Sequence, residues 1–238
     1  MTYVQGFLLA VPSANRQAYV DHARAALPVF KDFGALRMVE AWGDDVPEGK
    51  LNDFHGAVQR EAEETVLFSW IEYADQASYE AASAKIMADP RMAAMAEPPF
   101  DGKRMVFGGF ELLIDDGPGG PMGYVDGIVL AVKDMRKDDY VAFSRTVSPI
   151  FREHGVTRYV ETWGTDVPKG RVTDFYRAVL AEEGESVVFS WVEWPDRATR
   201  DAGMAAIRTD ARMAHAPADM PLDGKRMIFG GFVPFLEH

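Results

Sequence analysis

"FDGKRMVFGGF", residues 100–110, returns as "LDGKRMIFGGF" at residues 222–232, with nine of eleven positions unchanged. The copy does not stand alone. A shift of 121 residues lays "YVQGFLLAV" (3–11) on "YVDGIVLAV" (124–132), "EAWGDDVPEGK" (40–50) on "ETWGTDVPKGR" (161–171), and "VLFSWIE" (66–72) on "VVFSWVE" (187–193). One extra residue between Met213 and Pro221 then moves the shift to 122 for the opening stretch. The chain is a tandem duplication. Its expected division is repeat 1 over 1–115, a Gly/Pro linker over 116–122, and repeat 2 over 123–238.

Each half carries the same order of signals. Tyr3 to Val11 is rich in β-formers, and Ser13, matched by Asp134, is a plausible N-cap for a helix running to Phe33. Gly34 and Gly155 stand where a C′ glycine ends that helix. A strand is expected over Leu36–Trp42, then a polar "GDDVPEGK" loop, then a hairpin of Phe54–Gln59 and Val66–Tyr73 across "REAEE". Asp75 and Asp196 can cap a second helix, and "DPRM" (89–92) offers Asp as N-cap with Pro at N1 of a short third one. Met105–Leu112 is the last strand. The order is β-α-β-β-α-β with an added hairpin, the ferredoxin-like split pattern. Such a unit leaves one sheet face bare, and two units can bury their bare faces against each other. The expected fold is therefore α+β: two ferredoxin-like repeats with antiparallel sheets packed face to face, an intrachain dimeric α/β-barrel.

Composition removes several function classes. With 238 residues, 47% hydrophobic and 26% charged, the chain reads as a normal globular protein. No run approaches the length of a membrane helix, and Met1 leads into a strand without a basic stretch, so the cytoplasm is the default compartment. The absence of Cys excludes disulfides, thiolate nucleophiles and Cys-ligated metals. A net charge of −12 disfavours nucleic acid and anionic membranes as partners. None of His22, His55, His154 and His215 has a His at the equivalent position of the other half, which argues against a two-fold symmetric metal site. His55, beside Asp53 and Phe54, is the histidine to watch, and Met87, Met92 and Met95 read as core filling. Ser69 and Ser190 lack the glycines of a nucleophile elbow.

The duplicated stretch itself reads mainly as architecture. Asp101-Gly102 and Asp223-Gly224 are turn dipeptides, and Gly108-Gly109 with Gly230-Gly231 inside a strand suggest a bulge or a close backbone approach. Lys103 and Arg104, with Lys225 and Arg226, are left over, and they could bind an anion. At this point the run "VEAWGDDVPEGK…VLFSWIEY…DPRMAAM…PFDGKRMVFGGFE" resembles an uncharacterised bacterial family typified by YbaA, over nearly all of 1–115 and again over 123–236. The resemblance implies a dimeric α/β-barrel-like fold and brings no reaction with it. Larger relatives of that fold include cofactor-independent monooxygenases, muconolactone isomerases and haem-binding chlorite dismutases, an analogy of fold alone.

Alternation along strands sorts the candidate site. Val66, Phe68, Trp70 and Glu72 share one face; Leu36, Met38, Glu40 and Trp42 align, as do Thr157, Tyr159, Glu161 and Trp163. In the first strand Gln5 and Phe7, matched by Asp126 and Ile128, lie opposite the small apolar set Val4, Gly6, Leu8 and Ala10. Small residues suit helix packing. The other face, with Trp42, Trp70, Trp163 and Trp191 and with Glu40, Glu72, Glu161 and Glu193, is then expected between the halves. A carboxylate in an aromatic, partly dry space either pairs with a cation such as Arg37 or Arg158 and fixes how the halves meet, or rises in pKa until it can do acid–base work.

The resulting expectation is a small-molecule-binding barrel, with a cofactor-independent enzyme on an aromatic or otherwise apolar compound as its catalytic form. Glu40, Glu72, Glu161 and Glu193 are the acid–base candidates; Trp42, Trp70, Trp163, Trp191, Gln5 and Asp126 are the ligand-wall candidates. No metal and no cofactor is called for, and self-association is allowed for. The alternative is a non-catalytic assembly or stress-related interaction module. A ligand cavity of about 300 Å³ or more between the sheets would favour the first, and a filled interior the second.

Overall fold

A computed structural model describes residues 1–95, 97–214 and 219–238. His215 and part of the stretch that holds the one-residue insertion lie outside the described residues. Repeat 1 supplies β1 (Tyr3–Pro12), α1 (Arg16–Asp32), β2 (Arg37–Asp45), α2 (Phe54–Ala57), β3 (Glu64–Tyr73), α3 (Gln76–Ala88), α4 (Pro90–Ala93) and β4 (Val106–Asp116). Repeat 2 answers with β5 (Tyr124–Lys133), α5 (Lys137–Glu153), β6 (Arg158–Asp166), α6 (Phe175–Ala178), β7 (Glu185–Trp194), α7 (Arg197–Thr209), α8 (Ala211–Ala214) and β8 (Ile228–Glu237). Among the described residues no helix is long and apolar enough to cross a membrane.

The local chemistry explains most boundaries. Asp75 accepts from the Ser78 N–H and Asp196 from the Thr199 N–H, so α3 and α7 start where their caps stand. Asp89 accepts from the Arg91 N–H with Pro90 opening α4. Gly34 and Gly155 end α1 and α5 at φ 101° and 105°, a region open to glycine. Three expectations need correcting. Ser13 opens a 3-10 turn and caps nothing, and Asp134 instead accepts from the Ser186 hydroxyl. Phe54–Gln59 is not a hairpin strand. Asp53 accepts from the Gly56 N–H at 2.6 Å and winds the segment into α2, which drives Phe54 fully inside. Met87, read as core, is 78% exposed.

The strands close into one antiparallel barrel in the order β1-β3-β2-β8-β5-β7-β6-β4. Within each repeat the split βαβ pattern holds; between them, β2 pairs with β8 and β4 with β6. These two seams make the lumen common property of both repeats. Eight strands leave an interior that side chains can fill, and here they do. Phe68 and Phe189 stack at 4.4 Å and Trp70 and Trp191 at 4.6 Å, all fully buried. Phe54 of α2 and Phe175 of α6 meet those phenylalanines edge-on and stop one end. α1 and α3 lie over an apolar cluster on the outer wall of repeat 1.

This closure overturns the expected assignment of faces. Val4, Leu8 and Ala10 line the lumen with Phe68 and Trp70, whereas Met38 and Trp42 belong to the cluster under the helices. The smallness of the first set serves the crowded lumen: a Cβ on Gly6 would meet the Phe189 ring at 3.0 Å, and one on Gly127 the Phe68 ring at 2.6 Å. The register decides the rest. Val39 sits opposite Trp70 and Trp42 opposite Leu67, so Trp42 and Trp70 point to opposite sides of the wall.

The GG pair is explained by approach and bulge together. A Cβ on Gly109 would stand 2.1 Å from the Tyr3 hydroxyl oxygen, and one on Gly231 2.3 Å from that of Tyr124. Register shifts of the ladder fall between Gly109 and Phe110 and between Gly43 and Asp45, the latter opposite Gly231. Arg104 is committed to Glu64 through two bonds of 2.7 Å, and Arg226 to Glu185 through two of 2.8 Å.

Candidate functional site

The four candidate glutamates separate into two pairs with different chemistry. Glu72 and Glu193 reach the lumen end opposite α2 and α6. Arg37 donates to Glu193 at 2.5 and 3.0 Å, and Arg158 donates to Glu72 at 2.8 and 3.0 Å. The indole N–H of Trp70 donates to Glu72 at 3.1 Å and that of Trp191 to Glu193 at 2.9 Å. Each arginine also lies 5.8 Å from the centre of the tryptophan ring in its own repeat. Burial draws the Arg37 pKa down, but the bonds to Glu193 and Glu237 outweigh it and hold the guanidinium above its usual range. Every charge here has an opposite one in contact, and each Arg–Glu bond named spans the two repeats. This pair of carboxylates is a clasp.

Glu40 and Glu161 lie on the outer wall under α1 and α5. Tyr19 of α1 donates to Glu40 at 2.9 Å and Ser69 of β3 at 2.5 Å. Glu161 receives Tyr140 and Tyr159, both at 2.6 Å, and Ser190. The donors are all neutral. Burial therefore pushes Glu40 up to about 7, with Ser69 and Tyr19 only partly opposing it, and raises Glu161 for the same reason. Tyr19 in turn is held well above the usual phenol range by burial and the neighbouring carboxylate.

The two outer sites are not equivalent. Around Glu40, Tyr19 meets Trp42 edge-on at 5.6 Å and Phe100 at 5.8 Å, and Phe235 stacks on Trp42 at 5.1 Å. Around Glu161 the counterparts of Phe100 and Phe235 are Leu222 and, from β4 of repeat 1, Leu113. The Arg16 guanidinium lies 5.0 Å from the centre of the Trp42 ring and, among the described residues, pairs with no carboxylate. Its counterpart Lys137, over Trp163 at 4.9 Å, is neutralised by Glu111. The Trp42 Nε1 is buried without an acceptor. Among the described residues, two donors, one orphan N–H and one unpaired cation mark the Glu40 site; three donors and an ion pair reaching across to Glu111 of repeat 1 mark the Glu161 site.

Asp126 and Gln5 also face outward. Asp126 accepts from Arg200 and from the Trp194 indole at 2.8 Å, and burial still raises its pKa against the opposing Arg200. Arg200 continues to Asp45 of repeat 1 at 2.9 Å, so this corner is another tie between repeats. Gln5, the counterpart of Asp126 on β1 of repeat 1, is half-buried. His55 lies on α2 with Nε2 3.0 Å from the Val46 carbonyl and Nδ1 buried without a partner. Sequence reasoning missed Tyr19, Tyr140 and the role of Ser69 and Ser190. A signal existed: Tyr, Glu and Ser recur together at the constant shift, at 19, 40 and 69 and at 140, 161 and 190.

A family model described as "Protein of unknown function (DUF1428)" matches residues 2–102 and again 123–224. The uncharacterised protein YbaA of Escherichia coli K12 is 54% identical over 117 residues, which is 49% of this chain and 100% of that protein, and the Shigella flexneri protein matches to the same extent. Among solved structures, a candidate monooxygenase from Lactobacillus acidophilus NCFM superposes with a TM-score of 0.58 at 10% identity, covering 99% of this chain and 95% of that one. An anthrone oxidase-like protein gives 0.56 at 13% identity, covering 100% and 92%. At these identities the likeness is one of fold.

Proposed function

We propose, for a chain that belongs to the DUF1428 family of proteins of unknown function, that it binds a small aromatic or otherwise apolar compound against the outer wall of repeat 1, with Glu40 as proton acceptor or donor. One observation carries the reading: an enclosed carboxylate poised near pH 7 and answered only by the hydroxyls of Tyr19 and Ser69. A group whose pKa lies near the working pH is present in both forms and transfers a proton with least penalty. Holding it there destabilises the fold, since a carboxylate wants water or a cation. A purely structural residue at this position would be better neutral. The aromatic surroundings of Tyr19, Trp42, Phe100 and Phe235 suit an aromatic body, and the Trp42 N–H and Arg16 suit an acceptor group on it.

A second reading has its own observation. The lumen is filled by stacked rings, which favours a non-catalytic assembly or stress-related interaction module. A thermal-shift screen of the full chain at pH 7 against phenols, aromatic ketones and aromatic acids distinguishes the two. A compound that raises the Tm of the wild type and of Glu161→Gln but not of Glu40→Gln is expected. A panel without a single such compound, or an equal shift in Glu40→Gln, would favour the interaction module.

A further inference from the structure

We propose that the duplicated stretch also builds, once per repeat, a surface cleft for an apolar carboxylate, independent of the Glu40 reading. The first cleft has a volume of about 500 Å³ and joins the loop Pro47–Asp53 of repeat 1 to Gly224, Lys225, Met227, Ile228 and Phe229 of repeat 2. Its walls are fixed. Asn52 donates to the Arg226 carbonyl at 2.6 Å and to the Ala178 carbonyl at 2.8 Å, and Arg226 is itself bound to Glu185 and Asp223. The loop is folded on Asp53, which accepts from Gly49 N–H at 2.9 Å.

What this frame presents is unusual for its surroundings. Phe229 is 50% exposed and Leu51 62% exposed, an apolar floor open to water. Lys50 and Lys225 are exposed on its rim, and among the described residues neither has an ion-pair partner. Of the acids in the cleft, Asp53 is engaged by the Gly49 and Gly56 N–H groups, and Glu48 is exposed. Asn52 Oδ1 is buried in the cleft wall without a donor. An apolar body with a carboxylate matches the floor and the two ammonium groups, and a hydroxyl or N–H on it would answer Asn52.

The two cations of each copy have thus taken different parts. Arg104 and Arg226 hold the turn, whereas Lys103 and Lys225 are exposed and, among the described residues, without an ion-pair partner. Repeat 2 carries matching residue types at the equivalent positions: its loop has Lys169 and Arg171 where repeat 1 has Glu48 and Lys50, and Phe107 is 41% and Val172 37% exposed. Gln59 and Thr173 tie that loop across the repeats, through the Val172 and Ala57 carbonyls.

Isothermal titration of the full chain with naphthoate, against the neutral naphthylmethanol, tests this. The expected result is two naphthoate sites, both weakened by salt. Lys50→Gln/Lys225→Gln removes one or weakens it about five- to tenfold, as two exposed charges allow. Adding Lys103→Gln/Arg171→Gln weakens the other. All four side chains are exposed, so unchanged thermal unfolding of the variants checks that the fold is kept. Glu40→Gln leaves both sites intact. The proposal is overturned by no saturable binding, by equal affinity for the neutral compound, by unchanged binding in the fourfold variant, or by loss of binding in Glu40→Gln alone.

Discussion

A glutamate in this protein is defined by what answers it. Glu72 faces Arg158 and Glu40 faces hydroxyls, and both lie in strands two residues from a tryptophan, so spacing alone could not separate clasp from acid–base candidate. Local sequence does say that the residues are special, since all four glutamates recur at the constant shift. It does not say which partner lies across the wall, because that depends on strands far apart in the chain. The difference predicts opposite mutational signs. Glu72→Gln leaves Arg158 with only part of its neutralising charge in a buried place and is expected to destabilise by about 3 kcal/mol in chemical unfolding at pH 7. A change within about 0.5 kcal/mol would show that the clasp carries no such energy.

Elements were legible where a local rule governs them. The caps Asp75, Asp89 and Asp196 and the glycines at 34 and 155 act as the sequence implies, because a cap or a positive φ needs only its neighbours. The face assignment failed for a different physical reason. Alternation tells which residues share a side, but the inside of a barrel is set by register and by closure through β2·β8 and β4·β6, which join different repeats. The second glycine of the GG pair is predicted to be a site of close approach rather than of flexibility. Gly109→Ala should destabilise by about 1–3 kcal/mol through overpacking, and combining it with Tyr3→Phe should recover part of that loss, as the hydroxyl is the atom in the way. Additive effects in a double-mutant cycle would sever the link between Tyr3 and Gly109.

At the scale of the molecule, the duplication turns what two identical chains could do into one covalent barrel. Cut after residue 115, repeat 1 would expose both β2 and β4 as free strand edges together with one side of the aromatic lumen. Sedimentation of residues 1–115 is expected to show a homodimer or aggregate, and a stable folded monomer would contradict the shared lumen. Stability as a function of pH then reaches the functional claim itself. A carboxyl whose folded pKa lies near 7 binds more protons folded than unfolded between about 4.5 and 7, so it removes stability as the pH rises through that window. The measurement is the difference in unfolding free energy between wild type and Glu40→Gln, followed by urea denaturation from pH 4.5 to 8.5. That difference should shift in favour of the variant by about 3 kcal/mol between the ends of the range, levelling above pH 7. A difference that stays flat with pH, or moves towards the wild type, would mean that Glu40 is an ordinary ionised carboxylate and that the outer wall of repeat 1 is not poised for proton transfer.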